Sequence, residues 1–369
     1  MGPDDATAAK FASALLAGAL RLKRSENLII ETWNHTLPYA AACVVEARRM
    51  GVRPILWVEE ETAYWRSLDV APTVSRWGGV GEHEWRALGE ADGYVFFPGP
   101  ADRGRLRSLP NATRGALLGY NDEWYRRARA TKLRAVRSVL GYASDQQAAL
   151  WGVSGPAWRE QLIAATASAD LGQIQRDAAR LATKLKSAKQ LRITAANGSD
   201  LTVKLRGREP WKDDGVVGPD DLAAGRNVTN APPGSVVVAV DEHSAEGLVV
   251  ANRPSFTPDG RLEGGQWEVK GGHLGNAWYT DGQAAFDTSY QQASKGKDLL
   301  SFVSIGLNPA LAPGVAQVED QEAGAVAFGI GGNQFYGGSN RCPFVSWIVL
   351  GEATVAFDGK PLIDRGKLL

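Results

Sequence analysis

Residues 299–349 decide how the second half of this chain reads: LLSFVSIGLNPAL (299–311), AGAVAFGIGGNQFYGG (323–338) and SNRCPFVSWIV (339–349). Three short runs rich in Val, Ile and Phe are each broken by Gly, Asn or Pro, which is the pattern of strands joined by turns. Glycine at this density, beside Asn308, Asn333 and Asn340, fits backbone packed tightly around something. It fits equally well the glycine-rich corner of a β-barrel or sandwich.

Upstream, the chain changes character near residue 190. QLRITAANGSDLTVKLRGR (190–208) is two alternating strands around Asn197-Gly198, a strong hairpin signal. From there to the end, strands, Gly and Pro dominate. Before it, strand and helix alternate. NLIIETW (27–33), RPILWVEE (53–60) and GYVFFPG (93–99) read as strands, and LPYAAACVVEARRMG (37–51) as a helix closing on Gly51. Residues 6–24 have helical spacing, and a Trp-rich helical segment follows the second strand. LLGYN (117–121) is a candidate fourth strand, before a helix starting near Asp122 that carries Arg126, Arg127, Arg129, Lys132, Arg134 and Arg137. The alternation predicts a parallel sheet with crossover helices. Residues 154–189 predict a helical hairpin. The expected architecture is an α/β domain with a parallel sheet over 1–189, then an α+β, mostly antiparallel β domain over 190–369.

Composition narrows the function classes. Lys+Arg and Asp+Glu each number 41, so no long-range field favours nucleic acid or a membrane. FASALLAGAL (11–20) is too short to span a bilayer, and Asp4 and Asp5 give the start the wrong charge for a secretory signal. MGPDDA lacks the Ser or Thr of a myristoylation signal. Only Cys43 and Cys342 are present, which is neither a disulfide framework nor a thiolate zinc site, so the expected location is cytoplasmic. The Asn-x-Ser/Thr triplets at Asn34, Asn111, Asn197 and Asn227 then carry no meaning. The turn after the first strand, NHTLPY (34–39), has no Gly-x-Gly-x-x-Gly, so no dinucleotide site is expected there. His35 sits where open α/β sheets place ligands, and also reads as a hydrogen-bonded structural histidine. The basic residues after Asp122 spread around their helix, so a solvated or intersubunit surface competes with an anion-steering one.

In order and spacing, several segments resemble the aminopeptidase T family of thermophilic metalloproteases. WGVSGPAWREQLIAATASAD (151–170) is similar to the family's central hairpin, and NGSDLTVKLRGREPWKDDG (197–215) to its Gly-Thr-Asp-Leu hairpin. GRNVTNAPPGSVVVAVDEHSAEGLVV (225–250) resembles the Asn…Pro-x-Gly-Glu-Val…Glu-Gly segment, and SFVSIGLNPAL (301–311) the Gly-Glu-x-Gly-x-Gly-x-Asn run. AGAVAFGIGG (323–332) and FDGKPLIDRGKLL (357–369) resemble the His-x-Ala-x-Gly strand and closing Asp-Gly-Lys. The resemblance covers most of the chain. It implies a homodimer and a peptidase in which carboxylates and histidines hold two divalent ions.

Carried over position by position, those ligands are missing. The glutamate after Pro-Gly falls on Ser235, and that of the Gly-rich run on Phe302. The histidine falls on Ala325, and the closing His-x-Asp pair on Phe344 and Ser346; Tyr336 is the candidate for the family tyrosine. Hydroxyl and apolar side chains hold no divalent ion against water, and His273 with scattered carboxylates such as Asp281 and Glu319 is a poor substitute set. The expectation is a member without metal or other cofactor, whose cradle has become an aromatic-walled pocket for a small molecule. Ser235, Phe302, Asn308, Arg341, Phe344 and Ser346 are its candidate binding residues. Cys342 is the candidate nucleophile, His273 the candidate base and Tyr336 the candidate acid. Each has a plainer reading: Cys342 as a buried small hydrophobe, His273 as a turn residue, Tyr336 as a packed aromatic.

Four functions follow. The first is a metal-independent hydrolase-type enzyme acting on a small aromatic or cyclic substrate. The second is a non-catalytic descendant that binds small molecules, and the third an aminopeptidase with relocated metal ligands. The fourth arises because a ring-cleaving iron dioxygenase also resembles this family; loss of the same ligands argues against iron here, though not against cofactor-free oxygen chemistry.

Overall fold

The structure, a computed structural model, describes residues 5–70 and 80–369. Residues 1–4, in the start read above for targeting signals, and 71–79, in the Trp-rich segment, lie outside the described residues. The chain forms two compact units. The first comprises residues 1–149, 153–168 and 215–232, and the second 150–152, 169–214 and 233–369.

The first unit is built on a five-stranded parallel sheet. Its strands lie in the order Arg53–Glu59, Asn27–Trp33, Gly93–Phe96, Arg134–Ser138, Val228–Ala231. The three strands read from apolar runs are where the pattern put them. The fourth is not. LLGYN lies inside the helix Asn111–Thr131, and Arg134 and Arg137 belong to the fourth strand, not to a basic helix. Lys132 closes that helix in the left-handed conformation, and Leu133 follows fully buried. Arg134 and Arg137, three residues apart, take opposite faces of this strand while Ala135, Val136 and Ser138 are buried, so it shows no simple alternation and the density of positive charge disguised it. The amino-terminal helix Asp5–Ser13 continues as a wider π turn, Ala14–Ala19, and ends short of the expected residue 24. His35 points Nε2 at the Gly141 carbonyl, 2.9 Å away.

The second unit carries a two-stranded sheet, Ser255–Thr257 with Gly260–Leu262, and two large antiparallel sheets. The larger has eight strands, among them the hairpin Gln190–Thr194/Asp200–Lys204 read around Asn197-Gly198. The smaller has five, in the order Val345–Leu350, Val326–Gly331, Leu300–Gly306, Ser235–Ala239, Trp211–Asp213. Period-two alternation gives the smaller sheet two unlike faces. Val236, Val238, Val303, Ile305, Val326, Phe328, Ile330, Ile348 and Leu350 enter one large apolar core with Trp267, Leu191 and Leu201 of the larger sheet. The other face carries Ser235, Val237, Phe302, Ser304, Ala327, Gly329 and Trp347. Among the described residues no helix is long and apolar enough to cross a membrane.

Candidate functional site

The second face of the five-stranded sheet is a floor that mixes small side chains with the rings of Phe302, Trp347 and Trp211. Cross-strand register aligns Trp347, Gly329, Phe302 and Ala239 in one row, and Val349, Ala327, Ser304, Val237 and Trp211 in the next. Ser235, between Gly306 and Asp213, ends the floor on the third. Gly329 is required here, because the Phe302 ring occupies the space a Cβ would take. Phe302 therefore lies flat across the sheet, where a side chain on residue 329 would lift it.

Aromatic rings wall the floor. Tyr336 packs on Phe302 at 5.2 Å and on Trp211 at 5.4 Å between ring centroids, and Phe335 meets Trp211 edge-on at 4.2 Å. Both residues sit on the short turn Gln334–Tyr336, held from beneath by Glu242. The Glu242 carboxylate accepts from Arg208 Nη2 (2.8 Å), Asn333 Nδ2 (2.9 Å), Ser339 N (2.9 Å) and Ser339 Oγ (3.0 Å). Burial alone would raise its pKa, but Arg208 and these donors overcome it and hold the group well below the usual carboxylate range.

A loop from 307 to 324 brings two acids over the floor. Asn308 fixes it: its Nδ2 donates to the Pro233 carbonyl (2.8 Å), its backbone N–H to Gln321 (2.9 Å), and its carbonyl accepts from Ala323 N (3.1 Å). Gly306 lets the 320–322 backbone lie directly on the strand, leaving no room for a Cβ. The Ser304 hydroxyl donates to Asp320 Oδ2 (2.8 Å), and Trp347 Nε1 donates to Glu319 Oε1 (2.9 Å). Glu319 is 1% exposed, and its Oε2 has no hydrogen-bond partner. Burial, reinforced by Asp320, pushes the Glu319 carboxyl up to about 8. Burial and neighbouring Asp213 push Asp320 up to about 6, against the Ser304 hydrogen bond that lowers it. Two carboxyls with separated pKa values, one protonated and one ionised near neutrality, are the makings of an acid and a base.

The structure brings Ser235, Phe302 and Tyr336 to this face together. Asn308 is fully buried and shapes the loop. Phe344 and Ser346 lie on the opposite side: Ser346 pairs with Ile330 on the core-facing register, and Phe344 packs against the core with its ring 5.8 Å from Tyr290. Arg341 is exposed. Cys342 is buried with its Sγ 3.5 Å from Ser294 Oγ. His273 opens a strand of the other sheet, its Nδ1 2.6 Å from Asp298 Oδ2 and its ring 5.7 Å from that of His243. Among the described residues no hydrogen bond joins His273, Cys342 and Tyr336.

Trp211, Ser304, Asp320, Gln321 and Trp347 were not singled out from sequence, and Glu319 was named only as a scattered carboxylate. The alternation Phe302–Ser304 with Trp347–Val349 carried part of the signal. VEDQE (318–322) carried none, since it reads as a solvated turn. The two ions that the family resemblance implies do not fit these residues. Phe302 and Ala325 bring no donor atom, Phe344 and Ser346 face away, and no group of three or more His, Cys, Asp or Glu among the described residues could hold an ion.

No protein-family profile matches the chain, and no curated protein matches it. Among solved structures, wild-type AmpT (aminopeptidase T) from Thermus thermophilus is similar with a TM-score of 0.71 and 18% identity over 99% of each chain. The 2,5-dihydroxypyridine dioxygenase from Pseudomonas putida KT2440 is similar with a TM-score of 0.65 and 14% identity, over 100% of this chain and 98% of that one. Both are enzymes, one a peptidase and one a dioxygenase. The chain therefore has, from end to end, the fold that AmpT and this dioxygenase share.

Proposed function

We propose that this protein is a metal-independent enzyme of hydrolytic type acting on a small aromatic or cyclic molecule. The observation that carries the reading is the pairing of an aromatic-walled floor with two carboxyls of separated pKa. A flat ring lies against Phe302 and Tyr336, and Asp320, ionised above about pH 6, activates water at the edge of the floor. Glu319, still protonated near neutrality, keeps negative charge beside Asp320 to a single carboxylate. Support for a flat substrate comes also from a fold relative whose name specifies a dihydroxylated pyridine. We further propose a homodimer, on the family resemblance alone, and a cytoplasmic location, on the sparse cysteine usage.

The test is turnover of a panel of small amides, lactams and cyclic imides by the purified protein, with and without a chelator. The reading expects hydrolysis insensitive to chelation and lost in Asp320→Asn, with Cys342→Ala and His273→Ala retaining it. Turnover that disappears on chelation, or that survives Asp320→Asn and disappears with Cys342→Ala, overturns it. Ligand binding with no turnover across the panel identifies a binding protein instead.

A further inference from the structure

The free hydrogen-bonding capacity over the floor is one-sided. Gln321 Oε1 is a buried acceptor with no donor, and Glu319 Oε2, also without a partner, becomes a second acceptor once that carboxyl gives up its proton; the two residues are 5% and 1% exposed. Gln321 belongs to the same cluster, since its Nε2 reaches Asp213 Oδ2 at 3.5 Å. Asp320 accepts from Ser304, and among the described residues no cation pairs with Asp320 or Glu319. The nearby bases are engaged elsewhere: Arg253 with Glu322 (2.9 Å), Arg208 with Glu242 (2.8 Å), and Lys212 near Asp214 (3.9 Å). Acceptors left without donors inside a protein are costly, and a ligand that brings N–H groups removes the cost. The Trp211, Phe302 and Tyr336 rings favour a cation over their faces.

Resting on the reading that this face binds a small ring, we infer that the ring carries a cationic nitrogen with N–H donors, seated between Asp320 and the aromatic wall. A carboxylate on the ligand meets like charge there, and a neutral amide satisfies the acceptors without offsetting the charge. A divalent ion lacks a donor set, as shown above. The raised carboxyls add a signature. A cation entering beside them lowers their pKa values, so binding releases protons.

Benzamidine, benzamide and benzoate share one ring with positive, neutral and negative substituents. Isothermal titration of the full chain at about pH 7.5 is expected to show benzamidine binding about tenfold or more tighter than benzamide, and benzoate weakest. The benzamidine enthalpy is to vary with buffer ionisation enthalpy in the direction of proton release. In Asp320→Asn the preference is to fall to about twofold or less. If that variant does not fold, the wild-type series at about pH 5, where Asp320 is protonated, gives the same collapse. Benzamide or benzoate binding as tightly as benzamidine overturns the inference. So does no binding by any of the three, or Zn2+ or Mn2+ alone producing the same proton release. Hydrolysis of neutral rings without charge preference leaves the enzymatic reading intact and removes this one. A benzamidine preference without turnover of any substrate does the reverse.

Discussion

Glu319 gives a stability prediction that needs no substrate. In the unfolded chain this carboxyl ionises at its ordinary value of 4.5, whereas in the fold it keeps its proton up to about 8. Between those values the folded state binds more protons than the unfolded one, so stability falls as pH rises through the window. At about 1.4 kcal/mol per pH unit, the rise caps the alkaline penalty near 5 kcal/mol. Glu319→Gln removes the titration while its Oε1 still accepts from Trp347 Nε1. The new amide N–H, placed where Oε2 lacked a partner, lowers the net gain by about 1–3 kcal/mol. The variant is therefore expected to be no more stable than the parent at about pH 5, and more stable by roughly 2–4 kcal/mol at about pH 8.5. That corresponds to a Tm rise on the order of 5–10 °C for a unit of this size. Thermal melts of both proteins from about pH 5 to 9 measure it. A Tm difference independent of pH, or one growing toward acid, refutes the assignment of a buried protonated carboxyl.

Three further outcomes are expected. Glu242→Gln leaves Arg208 beside an uncharged partner and loosens the turn bearing Phe335 and Tyr336, costing about 3 kcal/mol near neutrality in urea unfolding. Because the Glu242 pKa is depressed, its contribution is full above the ordinary 4.5 and fades as pH falls toward the lower folded value, so the gap between the proteins narrows in acid. Gly329→Ala drives a methyl into the Phe302 ring and costs about 1–3 kcal/mol, with a changed near-ultraviolet circular dichroism spectrum and weaker ring binding. The pH profile of kcat/KM is to rise through about 6 with Asp320 ionisation and fall past about 8 with Glu319 deprotonation, and Glu319→Gln is to move the alkaline limb.

Much of the fold was legible because apolar periodicity reports burial directly. NLIIETW, RPILWVEE and GYVFFPG are strands, and Asn197-Gly198 is a hairpin turn. The fourth parallel strand escaped because its flanking residues are arginines, whose long stems lie along a sheet as readily as on a helix surface. Part of the site was also legible. Phe302, Ser235 and Tyr336 share a face that family spacing had marked. Ser346 was separable by parity, since even positions of the strand Val345–Leu350 share the face of buried Ile348 and Leu350, whereas Phe344 precedes that strand. Glu319 and Asp320 were not legible. Their burial depends on Trp347, 28 residues away, and Ser304, 16 residues away. No local pattern encodes contacts of that range.

The fifth parallel strand, Val228–Ala231, comes from a segment that the chain reaches only after building the hairpin of the second unit. During synthesis the strand Arg134–Ser138 therefore waits with an open flank for almost a hundred residues before its neighbour emerges. A ribosome stalled in that interval, or a fragment ending within it, displays a row of unpaired backbone groups suited to capturing the wrong strand. A fragment of the chain ending inside that interval is therefore expected to aggregate more readily than one ending after Ala231.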